Sequence, residues 1–142
     1  MTFMQCWRGM SNLSVGSTGG PDMNRRTGED NRRQGIKAER IAERHLRSIG
    51  YRLVRRNLIV GGSEIDLLMR EPRTREMIVI EVKSSRLGAH QALGALNSKK
   101  RIRIARAVRA LQRLGIGVEH GMRVEAVLID LSGVKPEIRH LR

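Results

Sequence analysis

Glu64-Ile65-Asp66-Leu67-Leu68-Met69 and Met77-Ile78-Val79-Ile80-Glu81-Val82-Lys83 are two apolar runs that carry four charges between them. Each has the length and the β-type composition of a strand. The intervening Glu71-Pro72-Arg73-Thr74-Arg75-Glu76 is charged and contains proline, which marks a turn. Two strands joined by so short a loop form an antiparallel hairpin. The register that pairs Arg70 with Met77 sets Asp66 opposite Glu81 and Glu64 opposite Lys83. Side chains alternate between the faces of a strand, so the four charges gather on one face. Ile65, Leu67, Met69, Ile78, Ile80 and Val82 gather on the other.

Carboxylates opposed at roughly 4.5–5.5 Å between Cβ atoms repel unless a cation lies between them or one holds a proton. A hard divalent ion such as Mg²⁺ takes oxygen ligands, commonly one or two carboxylates plus water. Asp66 and Glu81 are therefore candidate metal ligands. Lys83 points into the same place, where an ammonium group stabilises a negative transition state or orients a water. The alternative is a pair of solvent-facing ion pairs on a half-exposed sheet, the usual fate of charges in strands. Three acids and a lysine brought together opposite a clean apolar face favour a site.

Upstream, residues 33–49 predict a helix, with Ile36, Ala38, Ala42, Leu46 and Ile49 as its apolar set and Gly50 as its terminator. Glu39 lies within about 60° of Ala42 and Leu46 on the helix surface, on or beside the buried stripe. An acid placed there either reaches the Asp66–Glu81 site or pairs with a surface cation. Glu43 one turn on reads as a partner for Lys or Arg, and His45 as a partly buried structural histidine.

An acid in the first helix, then Asp, then Glu-x-Lys resembles the PD-(D/E)xK nuclease superfamily. More narrowly, the chain resembles the YraN family (UPF0102), bacterial proteins similar to Holliday junction resolvases. The matching stretches are Gly35-Ile36-Lys37-Ala38-Glu39 with Ala42 and Leu46, Gly50-Tyr51, Arg56-Asn57, Glu64-Ile65-Asp66-Leu67, Glu81-Val82-Lys83, and Lys99 opening a second helix. The resemblance implies that Asp66, Glu81 and the backbone carbonyl of Val82 hold Mg²⁺ or Mn²⁺. It implies that Lys83 assists attack of water on phosphate and that Glu39 completes the site through metal-bound water. It also implies DNA, including branched DNA, as substrate, and a homodimer as the acting form. The chain departs from the family pattern at Ser63, where glycine is usual, at Ser85, where arginine is usual, and at Val124-Glu125, which replaces Phe-Asp. These departures touch substrate contacts more than the core acids.

Composition sets the remaining bounds. A chain of 142 residues fits one domain. Residues 1–30 read as a disordered tail, with Gly16-Ser17-Thr18-Gly19-Gly20-Pro21 and no periodicity. Residues 31–142 form the domain. Met10 and Met23 are alternative starts. No apolar run suits a secretory signal or a membrane span, and the lone Cys6 excludes an internal disulfide and a cysteine metal cluster. A cytoplasmic setting is expected.

The tail is neutral, so the whole excess of +14 sits on the domain. From Lys83 to Arg113 there are nine Lys or Arg and no acid. That field suits a polyanion such as nucleic acid, and a membrane surface or ribosomal RNA shares the preference. Ser98 is a candidate N-cap for a helix reaching Leu114 before Gly115. Its core stripe is Ile104, Val108 and Leu111, and Lys99, Arg103, Arg106, Arg109 and Arg113 form a basic stripe beside it, suited to phosphate.

Leu87 to Gly94 carries two glycines and His90 and reads as a mobile loop, with a structural or idle role for His90. Met122 to Leu131, with Val124, Ala126 and Leu128 alternating against Glu125, and Pro136 to Leu141 predict two last strands; Tyr51 to Leu58 predicts a first. The order α-β-β-β-α-β-β implies an α/β sandwich with a mixed sheet. With the resemblance, this becomes a restriction-endonuclease-like sheet of about five strands flanked by helices. The leading expectation is a metal-dependent DNA endonuclease; the rival is a non-catalytic nucleic-acid-binding module on the same fold. A base-stacking RNA module is disfavoured, since Tyr51 is the only aromatic residue in the domain. No Walker-type phosphate loop occurs.

Overall fold

The computed structural model of this chain describes residues 25–87 and 98–142. The expected tail up to residue 24 and most of the glycine-bearing segment with His90 lie outside them. Among the described residues the elements are α1 (Arg25–Ser48), β1 (Arg52–Val60), β2 (Ser63–Arg70), β3 (Met77–Ser85), α2 (Ser98–Arg113), β4 (Met122–Asp130) and β5 (Glu137–Leu141). The order is the expected one. Helix α1 begins eight residues before the predicted start, so residues 25–30, placed in the tail, are helical. Gly50 ends α1 with φ +101°, a backbone conformation open to glycine at little cost.

The strands form one sheet in sequence order. All neighbours are antiparallel except β3 and β4, which run parallel across the α2 crossover. This is the mixed α/β architecture expected of a restriction-endonuclease-like fold. The hairpin register is also the expected one: Arg70 pairs with Met77, Met69 with Ile78, Leu68 with Val79 and Leu67 with Ile80. In its loop, the Glu71 carboxylate accepts hydrogen bonds from the N–H groups of Arg73 and Thr74, which fixes the turn.

Both faces of the sheet are covered. Ala38, Ile41, Ala42 and Leu46 of α1 pack on Leu67, Met69, Ile78, Ile80, Val127 and Ile129. Ile104, Ala107, Ala110 and Leu111 of α2 pack on Leu58, Val60, Leu68, Met77 and Val79. Central strands buried on both sides read as near-continuous apolar runs, which is why β3 has no alternation. At the β1–β2 turn, Gly61 has φ +57°, and a Cβ there would lie 2.8 Å from the Ala110 Cβ. Glycine at this point lets α2 sit directly on the hairpin.

Four expectations are corrected. Ile36 and Ile49 are each 41% exposed, off the α1 core stripe. Ile65 joins the cluster under α2 rather than the face of Leu67, because β2 leaves β3 beyond Leu67 and the shared pleat ends there. For the same reason Glu64 and Lys83 do not pair; Glu64 faces Ile59 of β1 and is exposed. In β4 the predicted alternation is inverted at its start: Val124 is 44% exposed and Glu125 is 2% exposed. Glu125 is accommodated because Tyr51, Arg123 and His140 all hydrogen-bond its carboxylate.

Candidate functional site

The site forms where β2 parts from β3. The ladder stops at Leu67–Ile80, and one residue further the Asp66 Oδ2 accepts the Val82 N–H at 2.7 Å. A side chain thus replaces the next backbone rung. Val82, whose carbonyl is the third expected metal ligand, is tied to Asp66 through its own N–H.

Two residues after Val79 on the α2 side of β3, Glu81 lies buried at 2% exposure. Lys83 Nζ lies 3.0 Å and Lys100 Nζ 2.9 Å from the same oxygen, Glu81 Oε1. Neither contact is directed as a good hydrogen bond, so among the described residues that oxygen is a buried acceptor held by charge alone. The Asp66 carboxyl is pushed up to about 7, first by burial and then by the Glu81 carboxylate; the Val82 N–H and Lys100 pull it down, and Glu39 pushes it up slightly. Asp66, Glu81, Lys83, Lys100 and Glu39 therefore act on one another.

Glu39 approaches from α1. Its Oε2 accepts the Asn57 amide N–H at 3.0 Å. Asn57 has φ +47° and lies in β1 between the Arg56–Leu67 and Leu58–Ile65 pairs, across from Asp66. Asn tolerates this left-handed conformation better than most residues. Glu43, one turn on, is buried but paired: Arg56 binds both its oxygens, at 2.6 and 2.8 Å, and Arg47 binds one at 2.8 Å. The Arg56 hydrogen bond outweighs burial and keeps the Glu43 carboxyl below the usual range. His45 is half-buried and meets His140 edge to face, a structural role.

Lys100 is the residue the charge pattern does not single out; that pattern points to its neighbour Lys99. The signal is helical spacing. Lys100 stands four residues before Ile104, so it continues the buried stripe of α2 towards β3. Asn57 likewise carries no signal in charge or hydropathy. Lys99, Arg103, Arg106, Arg109 and Arg113 are all exposed. At about 100° per residue they share one sector of the α2 surface.

Among the described residues no group of three or more His, Cys, Asp or Glu closes round one point. The expected donor set is the Asp66 and Glu81 carboxylates with the Val82 carbonyl, all hard oxygens, of which Glu81 Oε1 is already met by Lys83 and Lys100. That set fits a hard divalent cation that completes its shell with water. Among the described residues no helix is long and apolar enough to cross a membrane.

The family model that matches residues 38–129 is described as Uncharacterised protein family UPF0102. The chain is 32% identical over 125 residues to a UPF0102 protein of Sorangium cellulosum, covering 87% of this chain and 81% of that one. It is 36% identical over 97 residues to a UPF0102 protein of Methylorubrum extorquens, covering 68% and 73%. A UPF0102 protein of Pelobacter propionicus is 40% identical over 57 residues, a match that spans 40% of this chain and 41% of that relative. The matched span contains every acid and lysine of the site.

Proposed function

The chain belongs to the uncharacterised protein family UPF0102, and on that footing we propose that it is a metal-dependent nuclease that hydrolyses phosphodiester bonds in DNA, with branched DNA as its target. One observation carries the reading: Asp66, Glu81 and Lys83 meet at the parting of β2 and β3, with Glu81 buried and the Asp66 carboxyl raised to about 7. Carboxylates forced together in a dry place are poised to gain from a cation.

In this reading Asp66, Glu81 and the Val82 carbonyl hold Mg²⁺ or Mn²⁺. When bound, such an ion supplies positive charge that acidifies water and polarises the phosphate. Lys83 faces the entering phosphate and stabilises the negative charge that grows on it. Lys100 does the same from the side of α2 and ties the basic helix to the carboxylates. Glu39, held by Asn57, orients water and receives its proton. The exposed cations of α2 bind the backbone on either side of the scissile bond without reading bases.

A second reading, a nucleic-acid-binding module without catalysis, is favoured by the two lysines on Glu81 Oε1, which neutralise that carboxylate without a metal. One assay separates the two. Cleavage of labelled branched and single-stranded DNA is measured with Mg²⁺ or Mn²⁺, for the wild type and for Asp66→Asn, Glu81→Gln and Lys83→Ala. Cutting that needs metal and is lost in all three variants while binding persists supports the nuclease. Binding with no cutting in either metal supports the module.

A further inference from the structure

Helix α1 carries a second basic face, on the opposite side of the sheet from α2. Arg33, Lys37, Arg40 and Arg44 are exposed. At about 100° per residue they fall within roughly 60° of arc, pointing directly away from the stripe of Ala38, Ala42 and Leu46 that packs on the sheet. Among the described residues none of the four is in an ion pair. Of the acids on the same helix, Glu39 is held by Asn57 and Glu43 by Arg56 and Arg47. Glu29 and Asp30 stand at the upstream end of the stripe, Asp30 lining the first hollow with Arg33, so that the cationic character is strongest from Lys37 onward.

The surface beside this stripe is concave. Hollows of about 350, 330 and 570 Å³ follow it, and all three have Lys37 in their walls. Arg86 joins Arg33 and Lys37 around the first. Arg33, Arg40 and Arg44 line the second with Ile36. The third runs between Arg44 and the start of β5 at Pro136 and Ile138.

We propose that this groove is a second binding surface for a nucleic-acid backbone, so that one molecule holds two nucleic-acid segments, one on each side of the sheet. A row of exposed cations over a groove complements a line of phosphates. The two basic faces point in opposite directions, and a straight duplex laid on α2 does not reach α1. The second face therefore takes a second segment, or a second arm of a branched one. An anionic membrane is the poorer fit, because the large apolar side chains exposed around the groove, Ile36, Val134 and Ile138, come from three separate segments, and surface helices insert a wide apolar face. The proposal deepens the DNA reading above and needs binding at α2 but no cleavage.

The test is a bridging assay with the full chain. A biotinylated duplex is fixed on beads, protein is added, and capture of a second, labelled duplex is measured without divalent metal. The wild type is expected to capture it. The variant Arg33→Gln/Lys37→Gln/Arg40→Gln/Arg44→Gln is expected to bind the fixed duplex as the wild type does and to lose capture by about tenfold or more. Arg103→Gln/Arg106→Gln/Arg109→Gln is expected to lose bridging as well. Bridging that survives the α1 variant would mean that two associated copies each hold one duplex on α2, and it overturns the proposal. A wild type that binds one duplex and never captures a second overturns it too, and leaves the α2 reading standing. Loss of vesicle binding in the α1 variant, on phosphatidylserine vesicles and without bridging by the wild type, assigns the face to membranes instead. No duplex binding by any form removes both readings together.

Discussion

The Val82 amide donates a 2.7 Å hydrogen bond to the Asp66 carboxylate at the point where β2 leaves β3. Asparagine can accept the same bond without a charge. Burial and Glu81 raise the Asp66 carboxyl to about 7, so between its ordinary value and 7 the folded chain binds more protons than the unfolded one. Stability from this group is full at low pH and is lost as pH rises towards 7. Asp66→Asn removes that loss. Thermal unfolding followed by circular dichroism without divalent metal should show the variant more stable than the wild type at pH 8, by about 1–3 kcal/mol, and little different at pH 4. A variant no more stable than the wild type at pH 8 would contradict the burial of this charge.

Lys100 lowers the Asp66 carboxyl and touches Glu81. If the nuclease reading holds, Lys100→Gln should slow single-turnover cleavage by about 10–100-fold. It should also move the acid limb of the pH–rate profile to higher pH, because Asp66 loses a stabilising cation. A purely structural lysine would change the rate and leave the profile in place.

Gly61 offers a test of how closely α2 sits on the hairpin. Its φ is +57°, and a methyl group would meet the Ala110 Cβ at 2.8 Å. Gly61→Ala should cost about 2–4 kcal/mol in denaturant unfolding, combining left-handed backbone strain with overpacking. Ala110→Gly in the same chain should return part of that loss.

Ser63 stands where the family pattern has glycine. Its side chain is buried, and its Oγ has no hydrogen-bond partner among the described residues. Removing a buried unsatisfied hydroxyl relieves a desolvation cost. Ser63→Ala should therefore raise stability by about 1 kcal/mol, read as a higher urea midpoint at unchanged slope.

Glu125 gathers Tyr51, Arg123 and His140, and Arg123 also bonds Glu76. Burial raises the Glu125 carboxyl, but its bonds to Arg123 and His140 prevail and hold it below the usual range. Its contribution is thus present above the ordinary carboxylate value and lost as pH falls through the lowered one. Glu125→Ala leaves Arg123 to Glu76 alone and takes the shared acceptor from Tyr51 and His140, and should destabilise the fold by about 1–3 kcal/mol at pH 7. The gap to the wild type should narrow below pH 4.

The hairpin and its register were legible because apolar runs, a proline turn and paired acids all agreed. The order of elements and the middle of both helix stripes were legible from apolar periodicity, but Ile36 and Ile49 were wrongly included in the α1 stripe. The parting of the strands was not, since alternation assumes that a ladder continues, and nothing in the residues near Leu67 signals its end. That is why Ile65 and Glu64 were assigned to the wrong neighbours, and why Asp66, expected as the ladder partner of Glu81, instead bonds the Val82 N–H and meets Glu81 only through charge. Glu125 misled because a charged residue in a strand is normally placed outward; its partners are Tyr51 just before β1, Arg123 of β4 itself and His140 of β5, which do not read as a set in the sequence. Lys100 was hidden by its neighbour, whose place in a charge run looked the same.

The acids at 66 and 81 ride on one hairpin whose loop lies at the far end, beyond four intact rungs. The hairpin is shaped like a pair of tweezers held shut, with the four rungs as its shank and the Asp66–Val82 bond joining its tips. Insertions at Pro72 to Arg75 therefore change the handle and leave the grip alone, which makes that loop the natural place to attach a label or a tether.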